Sequence, residues 1–536
     1  AILFSALGFH LLGEGIRREL EKGKLFQRRL FNWRTVAAAA ALGVILYLLS
    51  GNLGPAGVTR REAAQFSGER AAAHLAALAD ERLEGREIGT PGAAAAAEYV
   101  AAEFDRLGLQ PIGRDGTYFI ESLGGVERLT DVPALELDDG GSPLRYEVDF
   151  AEYADQFRCL GQAEGPVRFV SFGESPSWAK LDVSPFKKVD LSREIVLVLS
   201  VADAALLERR ACAAVLVVAS HEDQVARRSI LSPQSRGDYA FTTTTLTTTA
   251  IDRPALWISE ATADRILASS GRTIAELRQE STGVDARNPL TFVVPRHAVV
   301  RVAGTVEENI TVRHVVGWVP GLRANPRDQM DNQVVVVLAQ YDAAPTRPSV
   351  ASSQAANDNA TGVAVLLELA RLIATTEYSP NRSFLFVAYS GSGWEGGELR
   401  AEREAGWFLE RSSLPARFFA LEAVVRLRGV GLGTTSRLTV ETSGSLRLSN
   451  LFRSGASRMG ARMVVAEVPV DLRAAFEGKS AFEAGDEVPE ALLSYEGWRE
   501  ATASEDPAAA IRASDLARAG RAAAFGVMTL GRQEQY

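Results

Sequence analysis

The sequence predicts an α/β protein. A mixed central sheet is flanked by helices, a smaller β/α unit is inserted, and a transmembrane helix precedes both. Three observations carry this. The runs "NQVVVVLAQYD" and "RSFLFVAYS" are short and almost continuously apolar, with a helix-patterned stretch from 359 to 375 between them. Apolar residues at every position, rather than at alternate ones, mark strands covered on both faces. Residues 190–290 repeat the strand, helix, strand rhythm on a smaller scale, with "REIVLVLS" and "CAAVLVVAS" on either side of "VADAALLERRA". Finally, Thr35 to Gly54 run without a charge.

The elements follow in order. Residues 1–50 hold seven Lys/Arg against three Glu, a net +4 in a chain whose formal charge is −9. The basic residues fill 17–34, between an apolar stretch at 1–16 and the run at 35–54. Twenty helical residues reach about 30 Å, the thickness of a bilayer's hydrocarbon core. Trp33 and Tyr47 stand where interfacial anchors would. The reading is a partial transmembrane helix over 1–16, a cytoplasmic loop over 17–34 and a spanning helix over 35–54. The basic flank then sends 55–536 to the extracytoplasmic side of the cell membrane.

From Arg60 to Leu107 the pattern is helix, glycine-rich turn "LEGREIGTPG" and helix, which Gly108 ends at C′. The first part of the main domain covers 60–189 and the second part 300–536, with the inserted unit at 190–290 between them. The threonine tract from Thr242 to Thr249 reads as a strand or loop. "SRLTVETS" and "ARMVVAEVP" read as later strands, and Ala508 to Ala524 as a terminal helix. Two cysteines, Cys159 and Cys212, exclude a disulfide scaffold and leave a single bridge open. No basic stripe or stacking platform suggests nucleic acid.

Four stretches in this order resemble the co-catalytic zinc aminopeptidase and carboxypeptidase family, which includes transferrin receptor and glutamate carboxypeptidase. They are "LEGREIGTPG" with the helix behind it, the 190–290 unit, "VVGWVPG" leading into "VVVVLAQYD", and "NDNATGVAVLLELARLI" followed by "RSFLFVAYSG". The resemblance implies a metallopeptidase fold with an inserted protease-associated domain at 190–290. A shorter stretch, "LGFHLLGEGIRREL" at 7–20, resembles the end of the permease subunits of dipeptide and oligopeptide ABC transporters. It implies transporter subunits or peptides, beside the membrane itself, as partners.

The resemblance also says what should hold two zinc ions, and this chain departs from it. The bridging carboxylate falls on Asp358, which is present. The first histidine ligand falls on Gln340, two residues before the orienting Asp342. The general base and the next carboxylate fall on Ser392 and Gly393 in "YSGSGWEGG". A further carboxylate falls on Arg426 in "RLRG", and the last histidine falls near Thr502. No histidine follows His314, so both imidazole ligands are missing. The guanidinium of Arg426 supplies positive charge where a cation would sit, and a pair with Asp358 follows from that. Asp358 also has a plain role as an acidic residue at a helix start, and Asp342 as a hydrogen-bond partner at a strand end.

"SGSG" does not make a serine hydrolase. Ser390 stands where a nucleophile elbow has glycine, and no histidine follows Ser392. The expected function is therefore a membrane-anchored, peptidase-like domain without hydrolytic activity, acting in binding or assembly, with no metal or other cofactor. The alternative is a zinc-dependent aminopeptidase with a rearranged or one-metal site, in which Glu395 moves into the vacated base position beside Asp358 and Asp342.

Overall fold

The computed structural model describes residues 37–43, 55–146, 148–152, 159–173, 190–200, 203–204, 207, 211–218, 241–243, 253–284, 288–322, 330–343, 356–390, 408–410, 412–415, 419–442, 445–466, 488–498 and 508–533. The chain divides into two compact units, residues 1–61 and 62–536.

The first unit corrects the membrane expectation. Among the described residues no helix is long and apolar enough to cross a membrane. Of 35–54, the described part is the helical stretch 37–43, exposed throughout. The stretch is five alanines, a leucine and a glycine, a composition that favours helix while offering little apolar surface. The expected spanning helix, the membrane anchoring, the extracytoplasmic placement of 55–536 and the membrane partners do not stand. The permease-like stretch 7–20 and the basic loop 17–34 lie outside the described residues.

In the second unit the strands are, in chain order, β1 Gln110–Pro111, β2 Phe119–Leu129, β3 Ala134–Leu137, β4 Phe150–Glu152, β5 Gly161–Ser171, β6 Ile195–Val198, β7 Ala214–Val218, β8 Phe241–Thr243, β9 Ala255–Ile258, β10 Leu290–Val302, β11 Gly304–Val319, β12 Gln333–Gln340, β13 Ser383–Tyr389, β14 Ala420–Leu427, β15 Leu438–Thr442, β16 Met463–Ala466 and β17 Glu490–Tyr495. The helices used below are α1 Gly68–Leu78, α2 Pro91–Arg106, α3 Glu260–Leu267, α4 Ile274–Ser281, α5 Thr361–Thr375, α6 Leu446–Arg458 and α7 Ala513–Arg532.

The central sheet runs β16-β15-β17-β14-β12-β13-β11-β2-β8, with β1 beside β11. Its middle is parallel: β12 pairs β13 on one side and β14 on the other, and β14 pairs β17. Burial explains the apolar runs. Every residue of β12 after Gln333 is buried, and α5 is buried along most of its length. α1 packs against α5 and α7, and α6 packs against α7. Gly520 allows part of this, because a Cβ there would meet the Phe66 ring at 2.1 Å. The helix ends follow the sequence signals: Thr90 caps α2 ahead of Pro91, and Gly108 takes φ +73° after it.

The second sheet runs β3-β10-β5-β6-β7-β9-β4, with β5, β6, β7 and β9 parallel at its centre. It is an insertion between two paired strands of the central sheet. β2 and β11 pair as far as Leu129 and Gly304, and the Thr130 N–H donates to the Ala303 carbonyl where both chains cross over. The inserted stretch thus runs from about Thr130 to Ala303, and its strands come from both sides of the boundary expected at 190. The sequence signal there came only from β6, β7 and β9, because β3 and β5 alternate in burial like ordinary edge or half-covered strands. Both cysteines are buried in this core, and the Arg253 guanidinium donates to the Cys212 sulfur at 2.8 Å. β8, at the start of the threonine tract, pairs with β2.

Candidate functional site

The C-terminal ends of β12, β13, β14 and β17 lie along one edge of the parallel part of the sheet, where α/β sheets generally place their chemistry. Across from them, the wide, π-helical turn Ala356–Ala360 leads into α5. Glycine lets the turn come close: a Cβ on Gly362 would stand 2.2 Å from the Leu427 carbonyl oxygen. Asn357 fastens the loop after β14, accepting from the Gly431 and Leu432 N–H groups and donating to the Leu432 carbonyl. The Asp358 carbonyl accepts from the Gly429 N–H at 3.2 Å.

This stapling fixes the partner of Asp358. Arg428 Nε donates to Oδ1 at 2.7 Å and Nη2 to Oδ2 at 3.3 Å, so one guanidinium spans both carboxylate oxygens. Both side chains are buried, and the Arg428 guanidinium lies 5.2 Å from the centre of the Trp498 ring. The sequence had pointed to Arg426 for this place. Arg426 instead donates from Nε to Glu490 Oε1 at 2.8 Å and lies over the Tyr389 ring. The correction has a simple geometry. Residues two apart share a face of a strand, so Arg428 projects on the same side as Arg426 but about 6.6 Å further along, beyond the strand end and against the turn.

Asp342 is buried at the end of β12. Its Oδ1 accepts from Gln340 Nε2 at 2.9 Å, its Oδ2 from Ser390 Oγ at 2.6 Å, and its carbonyl from Asn359 Nδ2 at 2.6 Å. These donations set which way both amides point. Among the described residues no donor reaches Gln340 Oε1 or Asn359 Oδ1, both buried. The "LEGREIGTPG" leader holds this stretch from behind. Arg86, fully buried at φ +59°, donates from Nε to the Tyr341 carbonyl at 2.7 Å and caps the end of α1 at the Leu78 carbonyl. The Ala343 N–H donates to the Arg86 carbonyl and the Ile88 N–H to the Ala343 carbonyl.

His314 also reaches this edge, which its position in the sequence did not suggest. It sits on β11 and its Nδ1 accepts from the Ser390 N–H at 3.4 Å, with its ring against the edge of Phe408. Burial pushes its pKa down to about 3, so the imidazole is neutral. The antiparallel pairing of β11 with β13 through "VVGW" carries residue 314 to the strand end holding Ser390, a long-range pairing with no local sequence signal.

The structure therefore brings together Gln340, Asp342, Asp358, Asn359, Ser390, His314 and Arg428. Ser392, Gly393, Glu395 and Thr502 lie outside the described residues. Among the described residues no three His, Cys, Asp or Glu side chains form a group able to hold a metal ion. Among the described residues the donors do not fit zinc. The position of the first imidazole is an amide, Asp342 already accepts two hydrogen bonds, and both oxygens of Asp358 face a guanidinium.

Residues 322–459 match the model of peptidase family M28. Among solved structures, the chain is similar to the aminopeptidase from Aneurinibacillus sp. strain AM-1, with 17% identity, 89% of this chain and 97% of that chain covered, and a TM-score of 0.56. It is also similar to a peptidase M28 precursor from Shewanella amazonensis SB2B (13% identity, 89% and 98% covered, TM-score 0.48). A zinc aminopeptidase from Bacillus subtilis gives 16% identity, 88% and 97% covered, and a TM-score of 0.46. No curated protein matches the chain. Identity this low is a likeness of fold, and the chain accordingly has the fold of the M28 aminopeptidases.

Proposed function

We propose that this domain has kept the aminopeptidase fold and given up hydrolysis, so that it acts by binding or assembly. One observation carries the reading: Arg428 spans both oxygens of Asp358, at the place where the resembling family bridges two zinc ions. A fixed guanidinium neutralises the carboxylate without metal chemistry, and it opposes the entry of a further cation in a site of low dielectric. The amide at Gln340 supports the same reading, since it replaces an imidazole by a neutral oxygen donor of low zinc affinity. The resemblance gives the sheet inserted between β2 and β11 the part of a protease-associated domain.

The test is a hydrolysis assay on the purified full chain with amino-acid anilides and dipeptides, with and without added zinc. Turnover at background in both conditions is expected, and Gln340→His alone should rescue none. Zinc-dependent turnover that disappears in Asp358→Asn would overturn the proposal and restore a rearranged metal site.

A further inference from the structure

We draw no further inference here: the strongest candidate, the buried side-chain carbonyl oxygens of Gln340 and Asn359 beside Asp342 at the ends of the central strands, belongs to the site already described, and nothing in the structure shows what covers it.

Discussion

Two buried carboxylates held by arginine stand ten residues apart on one stretch of chain, and they differ in what surrounds them. Glu368, inside α5, is fully buried. It accepts from the Ser67 N–H, from Nε and Nη2 of Arg70, and from Nε and Nη2 of Arg371. Ser67 is also the N-cap of α1, so the carboxylate docks that helix onto α5. Burial pushes its pKa up, but Arg371, Arg70 and the Ser67 N–H outweigh it and hold the group below the ordinary carboxylate value. The Arg70 side chain is half exposed, so one cation of the cluster keeps much of its hydration. Asp358 has the opposite setting. Its arginine is 90% buried and lies against Trp498. The first cluster joins two helices and keeps one cation half in water; the second removes both charges from water, which is costly.

That difference gives the largest expected effect. Arg428→Ala leaves Asp358 buried without its guanidinium, and stability should fall by about 3–5 kcal/mol, the usual cost of breaking a buried pair from one side. Urea unfolding of the full chain measures it. The double variant Arg428→Met with Asp358→Leu should recover most of the loss, since removing both charges also removes the desolvation cost. A loss under 1 kcal/mol for Arg428→Ala would mean that Asp358 is held chiefly by other contacts. For the docking cluster, Glu368→Gln keeps the shape but removes the charge. About 1.5–3 kcal/mol is expected, the range for hydrogen bonds to charged groups, with Arg70 turning to solvent.

The contrast also explains what could be read in the sequence. The parallel core of the central sheet was legible because β12 and β13 are almost continuously apolar and α5 lies between them with its own period. Asp358, Asp342 and Gln340 were legible because the resemblance fixes them next to those strands. Arg428 was not, although it stands only two residues beyond Arg426. The choice between Arg426 and Arg428 depends on where β14 ends and on how closely Gly362 lets the turn approach, and neither distance is written in a pattern of apolar positions. The insertion from about 130 to 303 was half legible. Its parallel strands show as apolar runs, but its crossover at Thr130 and Ala303 is a long-range pairing with no local signal. The run at 35–54 shows the reverse failure: length without charge suggested a spanning helix, and among the described residues no helix is long and apolar enough to cross a membrane.

A pH titration probes the same edge through His314. Its folded pKa is depressed to about 3, whereas an unfolded histidine titrates near about 6.5. Between those values the unfolded chain binds the extra proton, so stability from this group is present above about 6.5 and is lost as pH falls. At pH 5 the loss should be about 2 kcal/mol relative to pH 8. Asp203 works against it: burial raises its carboxyl to about 6, so the folded state is favoured on acidification over that part of the range. The readout is therefore the difference in pH dependence between wild type and His314→Asn. Equal slopes for the two proteins would show that the imidazole is not held neutral beside Ser390.

The smallest expected effect closes the comparison from the other side. Arg70→Ala removes one arginine from Glu368 but leaves Arg371 and the Ser67 N–H on the carboxylate. The lost side chain is half in water, where an ion pair contributes little after side-chain entropy and screening are counted. Less than about 1 kcal/mol should be lost, against several for Arg428→Ala. Salt separates the two further. At about 0.5 M NaCl the Debye length is a few ångströms, so the wild type and Arg70→Ala should converge. The Arg428–Asp358 pair is shielded by Trp498 and the turn, and its variant should keep its deficit in salt. If Arg70→Ala costs as much as Arg428→Ala and is equally insensitive to salt, exposure does not distinguish the two carboxylates. The special standing given to Asp358 would then rest on its place at the strand ends alone.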